Sequence, residues 1–374
     1  MKLTIKKELL EEAINKVSRA ISTKNLVPAL AGIKFDITKK GVTLTASDNN
    51  ITIQTFIPKD KENMTIDEEG SIIIQGRYIG DIVRKLPDEF INIELVDDLK
   101  IVIFTDNSEY NLNAINKSEY PNIYLEENKN PIVIDSSLFK DLVNQTAFAS
   151  SKDESRPVLT GINIKIEGKT LECNSTDSYR LARKVFDLKE ESKDSYNIVI
   201  PSTNIVEFTK IMGDSEENVE MHIFNNKVLF KYGSLLFQSR LVNGTYPNTA
   251  NLLPEESLLK INTTVDSIYA AIDRASILTS DKEKNIVTLE TKGDTLYIRS
   301  QSAEIGRVEE KMEVSKNNKE EIRISFVAKY MLEALRSFKE DEVEISFVGE
   351  IKPIILKSNK DETLTQLVLP IRTY

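Results

Sequence analysis

The residue types that carry most enzymatic and metal chemistry are nearly missing from this chain, which has one histidine, His222, and one cysteine, Cys173, among 374 residues. His222 lies in VEMHIF, whose alternation predicts a strand with the imidazole on one face of a sheet. No nucleophile and acid stand at a spacing that would make it the base of a triad. Cys173 lies in TLECNS and reads as a small core residue of another strand. One His and one Cys cannot compose a Cys/His zinc site within the chain. Carboxylates are plentiful, so Asp177 with Asp153 or Glu172 makes an acid/base or metal pair on paper, but abundance makes such pairs easy to find. EGKT from Glu167 imitates the end of a phosphate-binding loop. Asn163 stands where the first glycine of that loop is required, so the segment predicts a hairpin turn instead. A chain with no catalytic residue, metal or cofactor is expected.

The totals describe a folded protein. Apolar residues make up 40% and charged residues 29%, with 13 Gly and 11 Pro, and the length suits two or three domains. The net charge of −10 opposes nucleic-acid binding by the mean field, yet leaves room for a basic surface confined to one face. The N-terminus MKLTIKKELLEEAINK alternates charge with apolar residues, and no uncharged apolar run approaches the roughly 20 residues that span a bilayer. Together with the lone cysteine, this predicts a cytoplasmic protein without membrane contact.

Internal repetition organises the rest. Three amphipathic helices open three similar stretches: Leu10, Ala13, Ile14, Val17 and Ile21 in the first; Leu138, Leu142, Val143 and Ala147 in the second; Val265, Ile268, Tyr269, Ile272 and Ser276 in the third. Each is followed by alternating strands with turns KKG, EGK and KGD at matching places. A second helix recurs from Arg77, Ser202 and Ala328, then two or more strands. Tyr-Pro junctions follow at Tyr120-Pro121 and Tyr246-Pro247. The period is about 126 residues, far longer than a solenoid repeat, so each copy is a domain. The expected class is α+β: three repeated domains, 1–126, 127–254 and 255–374, each with two helices packed on antiparallel sheets.

STDSYRLAR from Ser175, RPVLTGINI from Arg156, RLVNGTYPNTANLLP from Arg240, LVLPIR from Leu367, and Lys24, Pro28, Leu30 and Gly32 stand in the order and spacing of one family. Over its whole length the chain resembles the β subunit of bacterial DNA polymerase III, the sliding clamps. The resemblance implies the clamp fold, with two three-domain chains closing head to tail into a homodimeric ring around double-stranded DNA. It implies a non-catalytic processivity factor opened by a clamp loader, which tethers DNA polymerase and repair proteins through short peptide motifs.

Sliding needs contacts that ignore sequence, hence Lys and Arg near phosphates. The candidates are Lys24, Arg77, Arg84, Lys152 and Arg156, of which Lys24 and Arg77 match positions where the family touches DNA. The sequence departs from the family at Asp153, Pro157, Val158, Ser202 and Thr203. Family matches place a partner-peptide groove around Leu159, Thr176, Ser178, Tyr179, Arg180 and Leu181, around Pro247, Asn251 and Leu252, and around Leu367, Val368, Leu369, Pro370, Ile371 and Arg372. Tyr110, Ile277 and Leu278 match the family's apolar dimer contact, with Glu304, Glu309 and Glu310 nearby, while Asn107 and Glu109 flank Tyr110 without supplying the basic partners those acids call for. A metal-dependent hydrolase and a protein-only scaffold of repeated domains are the competing readings.

Overall fold

The computed structural model describes residues 1–21, 27–213, 217–254, 256–278 and 285–372. One order of elements recurs three times, with an extra strand before the second helix in the first copy, β5, and in the third, β22. The first copy runs β1 (Lys2–Lys6), α1 (Lys7–Val17), β2 (Gly32–Thr38), β3 (Gly41–Ser47), β4 (Ile51–Pro58), β5 (Met64–Glu68), β6 (Gly70–Gln75), α2 (Gly76–Lys85), β7 (Phe90–Asp97), β8 (Lys100–Phe104) and β9 (Glu109–Asn113). The second runs β10 (Ile132–Asp135), α3 (Ser136–Thr146), β11 (Gly161–Glu167), β12 (Thr170–Thr176), β13 (Arg180–Asp187), β14 (Tyr196–Pro201), α4 (Ser202–Ile211), β15 (Asn218–Ile223), β16 (Lys227–Tyr232) and β17 (Leu235–Arg240). The third runs β18 (Leu259–Thr264), α5 (Val265–Ser276), β19 (Ile286–Lys292), β20 (Thr295–Ser302), β21 (Gly306–Glu313), β22 (Ser315–Lys316), β23 (Arg323–Val327), α6 (Ala328–Leu335), β24 (Glu342–Phe347), β25 (Ile354–Lys357) and β26 (Leu364–Val368).

The helices form where the apolar stripes predict them. Leu10, Ala13, Ile14 and Val17 are the buried face of α1, and Ile268, Ala271, Ile272 and Ala275 that of α5. In α3 the buried apolar residues are Phe139, Leu142 and Val143, while Leu138, expected on that face, is only half-buried; a step of 100° per residue turns it to the margin of the stripe. The expected EGK and KGD turns form around Gly168 and Gly293, at φ of 59° and 56°, a region where a residue without Cβ meets no steric penalty.

By packing, the chain divides into two compact units, residues 1–136 with 207–241, and residues 137–206 with 242–374. The first unit holds a five-stranded sheet, β5-β1-β7-β8-β9, and an eight-stranded sheet, β10-β15-β16-β17-β4-β3-β2-β6. Helix α1 packs against β4 and α2, burying Leu10, Ile14 and Val17. Phe208 stacks on Phe230 at 4.9 Å and tilts against Phe237 at 5.3 Å. The second unit holds a nine-stranded sheet, β14-β11-β12-β13-β26-β25-β24-β18-β22, and a four-stranded sheet, β21-β20-β19-β23. One core of this unit sits between α5, α6 and the strands of the third copy.

Two of the sheets run across repeats. In the first unit β17 pairs antiparallel with β4, from Leu235 opposite Thr55 to Ser239 opposite Ile51. In the second, β26 pairs antiparallel with β13, from Val368 opposite Arg180 to Leu364 opposite Lys184. Each joint thus sets the last strand of one copy against the fourth strand of the copy before it. A buried polar network backs the second joint. Gln366 Nε2 donates to the Gln145 carbonyl and Ser337 Oγ, both at 2.9 Å, and Gln145 Nε2 donates to the Ser337 carbonyl at 2.9 Å. Among the described residues, no helix is long and apolar enough to cross a membrane.

Candidate partner groove and strand edges

The groups with catalytic potential are committed to structure. Cys173 is fully buried on β12, and burial pushes its thiol up to about 12, well away from a reactive thiolate. Asp177 pairs with Arg180 at 3.0 Å and Glu172 with Arg183 at 3.0 Å, while Asp153 accepts from the Ser155 backbone at 2.9 Å and its hydroxyl at 2.8 Å. His222 is 1% exposed on β15. The Asn128 backbone N–H lies 3.0 Å from its Nδ1, and its Nε2 lies 3.4 Å from Glu220. Glu127 completes a triple with these two. The Lys231 ammonium lies 2.7 Å from Glu127 and 3.9 Å from Glu220 and supplies the positive charge between them.

The expected groove residues come together within the second unit. Leu181 and Leu367, 2% and 3% exposed, form a cluster with Ile355, flanked by the half-buried Leu253 and Leu369. Tyr179 is 62% exposed and stacks on Tyr330 with ring centroids 6.1 Å apart. The Leu369 N–H donates to the Tyr179 carbonyl at 2.9 Å, and the Ile371 N–H to the Ser325 carbonyl at 2.7 Å, which ties the terminal LVLPIR segment to this edge. Pro247, Asn251, Leu252 and Arg372 are exposed and Pro370 half-buried. Val368 is fully buried in the core of the third copy. Ser178 adopts φ 76°, the left-handed region, and so turns the chain sharply between β12 and β13.

Arg180 is the strut of this region. At 7% exposure it donates from Nε to Asp177 at 3.0 Å and from Nη2 to the Phe148 carbonyl at 2.6 Å, with Nη1 paired to Glu333. Its guanidinium also lies 5.3 Å from the Phe148 ring centre and 4.8 Å from that of Tyr330. Five donors in a rigid fork suit one residue to so many acceptors. A pocket of about 440 Å³ opens beside it, lined by Leu159, Ser178, Tyr179 and Arg180 of the expected groove and by Lys152 and Arg156 of the expected DNA contacts. Lys329 and Tyr330, which were not among the expected residues, also line it. Their signal was faint, since both lie in an ordinary amphipathic helix.

The remaining described candidates, Arg77 and Arg84, belong to the first unit. Arg77 and Arg84 are exposed at the two ends of α2, and Arg84 pairs with Asp81 one turn back. Lys24 lies outside the described residues.

Among the described residues β9 pairs only with β8 and β21 only with β20, so each presents an edge without a partner strand. Tyr110 on β9 is 38% exposed; Ile277, just past α5, is 70% exposed, and Leu278 is half-buried. Glu304 is exposed. The other two acids are not free for a second chain. Arg274 holds Glu310 at 2.7 Å, and Arg299 and Lys311 hold Glu309 at 2.7 and 3.3 Å. Those hydrogen bonds lower both carboxyl pKa values. Arg307, on the same strand, makes no ion pair or side-chain hydrogen bond among the described residues.

A threefold-repeated α+β chain with two joints made and two like edges left open defines a head-to-tail assembly protein. The comparisons agree. Residues 1–124, 133–248 and 250–372 match the models of the N-terminal, central and C-terminal domains of the DNA polymerase III beta subunit. The chain is 41% identical to the beta sliding clamp of Bacillus subtilis, covering all of both chains. Its fold superposes on the crystal structure of the DNA polymerase sliding clamp from that organism with a TM-score of 0.96, again over all of both chains. The DNA polymerase III beta chain of Streptococcus pneumoniae, 33% identical, gives 0.94 at full coverage of both. The chain belongs to the DNA polymerase III beta subunit family.

Proposed function

We propose that the chain is a sliding clamp: two copies close head to tail into a ring that encircles duplex DNA and tethers the replicative polymerase and repair proteins. One observation carries this reading. The joints β4–β17 and β13–β26 are the same joint used twice, and the strands that would make it a third time, β21 and β9, each keep one edge without a partner strand among the described residues, at opposite ends of the repeat order. A head-to-tail contact closes or grows into a filament, and two three-domain chains close at six domains. The domains are 1–126, 127–254 and 255–374, a division supported by the ranges of the three matched models. The clamp works in the cytoplasm as a non-catalytic processivity subunit.

A closed ring is held on DNA by topology, so weak contacts suffice. Lys24, Arg77, Arg84, Lys152 and Arg156 supply them to phosphates without reading sequence. An acidic chain gains little from long-range attraction to DNA, and a closed ring cannot thread an internal duplex. A clamp loader must therefore open it. Partner proteins insert a short apolar peptide against Leu181, Leu367, Leu252 and Leu369, next to the Tyr179–Tyr330 stack, where a preformed apolar surface with few polar groups suits such an anchor. Tyr110, Ile277 and Leu278 supply the apolar part of the dimer contact. The test is primer extension on circular single-stranded DNA with polymerase and loader. Long products should need the clamp, and bound clamp should run off once the circle is cut. Equal retention on circular and linear DNA would refute encirclement.

A further inference from the structure

The two joints within the chain fix more than which strands meet, because their registers are identical when counted through the repeats. In the first, the cross-sheet row Ile132, Met221, Phe230, Phe237 continues into Ile53 and Ala46. In the second, the row Ile261, Ile345, Leu356, Gln366 continues into Ala182 and Ser175. The equivalent row at the open end of the first copy is Leu3, Ile93, Ile103, Tyr110. On the other open edge the equivalent row begins at Val308 and continues to Ser300. Ile53, Ala182 and Val308 each stand five residues before the last pair at the open end of their hairpin, which is Gly41 with Pro58, Thr170 with Asp187, and Thr295 with Glu313.

We propose, resting on the ring reading above, that the seam between copies pairs β9 with β21 in this register, with Tyr110 opposite Val308 and the Glu109 carboxylate drawn to Arg307 of the second copy. The faces agree independently. Tyr110 and Leu112 share the core side of their sheet with Ile103 and Ile101, and Val308 is half-buried on β21, as is Met312. A slip of one residue would turn Tyr110 outward. On the outer side, Asn111 falls opposite Arg307 and Glu109 opposite Glu309, with Arg307 and Lys311 diagonal to Glu109, within reach of long side chains. Glu309 is already held by Arg299 and Lys311. Among the described residues Arg307 is uncommitted, and Glu109 has only the Asn111 side-chain amide at 2.9 Å. The seam therefore has the reverse of the polarity expected from the sequence: the acid comes from the first domain and the free base from the third.

The experiment uses the full chain. Asn111→Cys combined with Arg307→Cys should form an interchain disulfide on mild oxidation, giving a dimer that survives denaturing electrophoresis. Asn111→Cys with Glu309→Cys, two residues along the same face, should not. Cys173 is fully buried and adds no background. Sedimentation should show Glu109→Lys and Arg307→Glu each weakening the dimer on the order of tenfold at low salt, with the exchanged double variant recovering affinity. Crosslinking of the shifted pair alone, or of neither pair in a dimeric chain, would overturn the register, and tighter dimers in Glu109→Lys would overturn the polarity. A wild-type chain monomeric at every concentration would instead sink the ring reading.

Discussion

The Thr176 backbone N–H donates to the Tyr246 hydroxyl at 3.0 Å, both groups buried. Burial raises the pKa of that phenol, so it stays neutral and available as an acceptor at any ordinary pH. The first copy repeats the arrangement: Tyr120, also before a proline and also with a raised pKa, donates to the Thr45 carbonyl at 3.4 Å. The Tyr-Pro landmarks are thus pins that fasten the end of one copy under its own second hairpin.

Removing a pin should be costly. Tyr246→Phe leaves the Thr176 N–H buried without an acceptor, and urea unfolding should register a loss of about 1–3 kcal/mol. Retention of wild-type stability would mean that water or a shifted backbone replaces the hydroxyl.

Arg180 should tolerate substitution worse than its neighbours. Arg180→Ala strands Asp177, Glu333 and the Phe148 carbonyl together, and a buried charge left without its partner costs roughly 3 kcal/mol or more. Arg180→Lys keeps the charge but not the fork, so thermal melting should place it between the wild type and alanine variants.

Peptide capture should depend on Tyr179. Tyr179→Ala removes one ring of the exposed stack on Tyr330 without opening the core. Fluorescence anisotropy with a labelled polymerase tail peptide should show affinity falling on the order of tenfold while solution mass stays unchanged. Unchanged affinity would place the groove elsewhere.

Acid should loosen the protein through two part-buried carboxylates. Burial pushes Glu172 and Asp361 up, but hydrogen bonds from Arg183 and Asn174 to the first, and from Thr363 and Lys184 to the second, leave both below their usual values. A group depressed on folding contributes stability above its unfolded pKa and loses it as pH falls through the folded value. Urea midpoints should hold steady near neutrality and drop below the ordinary carboxylate range. Lys184→Met should flatten the part due to Asp361.

Phosphate contacts should appear in the salt dependence. Arg77→Glu and Arg84→Glu should each shorten retention on circular DNA, and each lost contact should reduce the slope of log affinity against log salt by about 0.9. No change in slope would return these arginines to the solvated surface.

Much of this was legible in the sequence, because helix faces and hairpins are written locally. Ile14 and Ile268 announce their faces through neighbours three and four residues away, and Gly168 marks its turn. The joints were not legible. Thr55 meets Leu235 across 180 residues, and nothing in ITIQTFIP distinguishes a strand that pairs within its copy from one that pairs beyond it. Charge bookkeeping at the edge failed for the same reason. Glu310 looks free until α5 brings Arg274 to it, 36 residues away, and Arg307 looks ordinary until Glu309 and Glu310 on the same strand are found engaged. The groove lay between these extremes: its residues were named from the resemblance, while Leu253, Ile355 and Tyr330 joined them only through folding.

The outward residues of β21, which are Arg307, Glu309, Lys311 and Glu313, alternate in sign and are all exposed. Any foreign strand that tried to add itself there would meet a row of four exposed charges, which opposes uninvited edge pairing. The newly made chain thus carries its own safeguard against clumping in a crowded cell before it finds its mate.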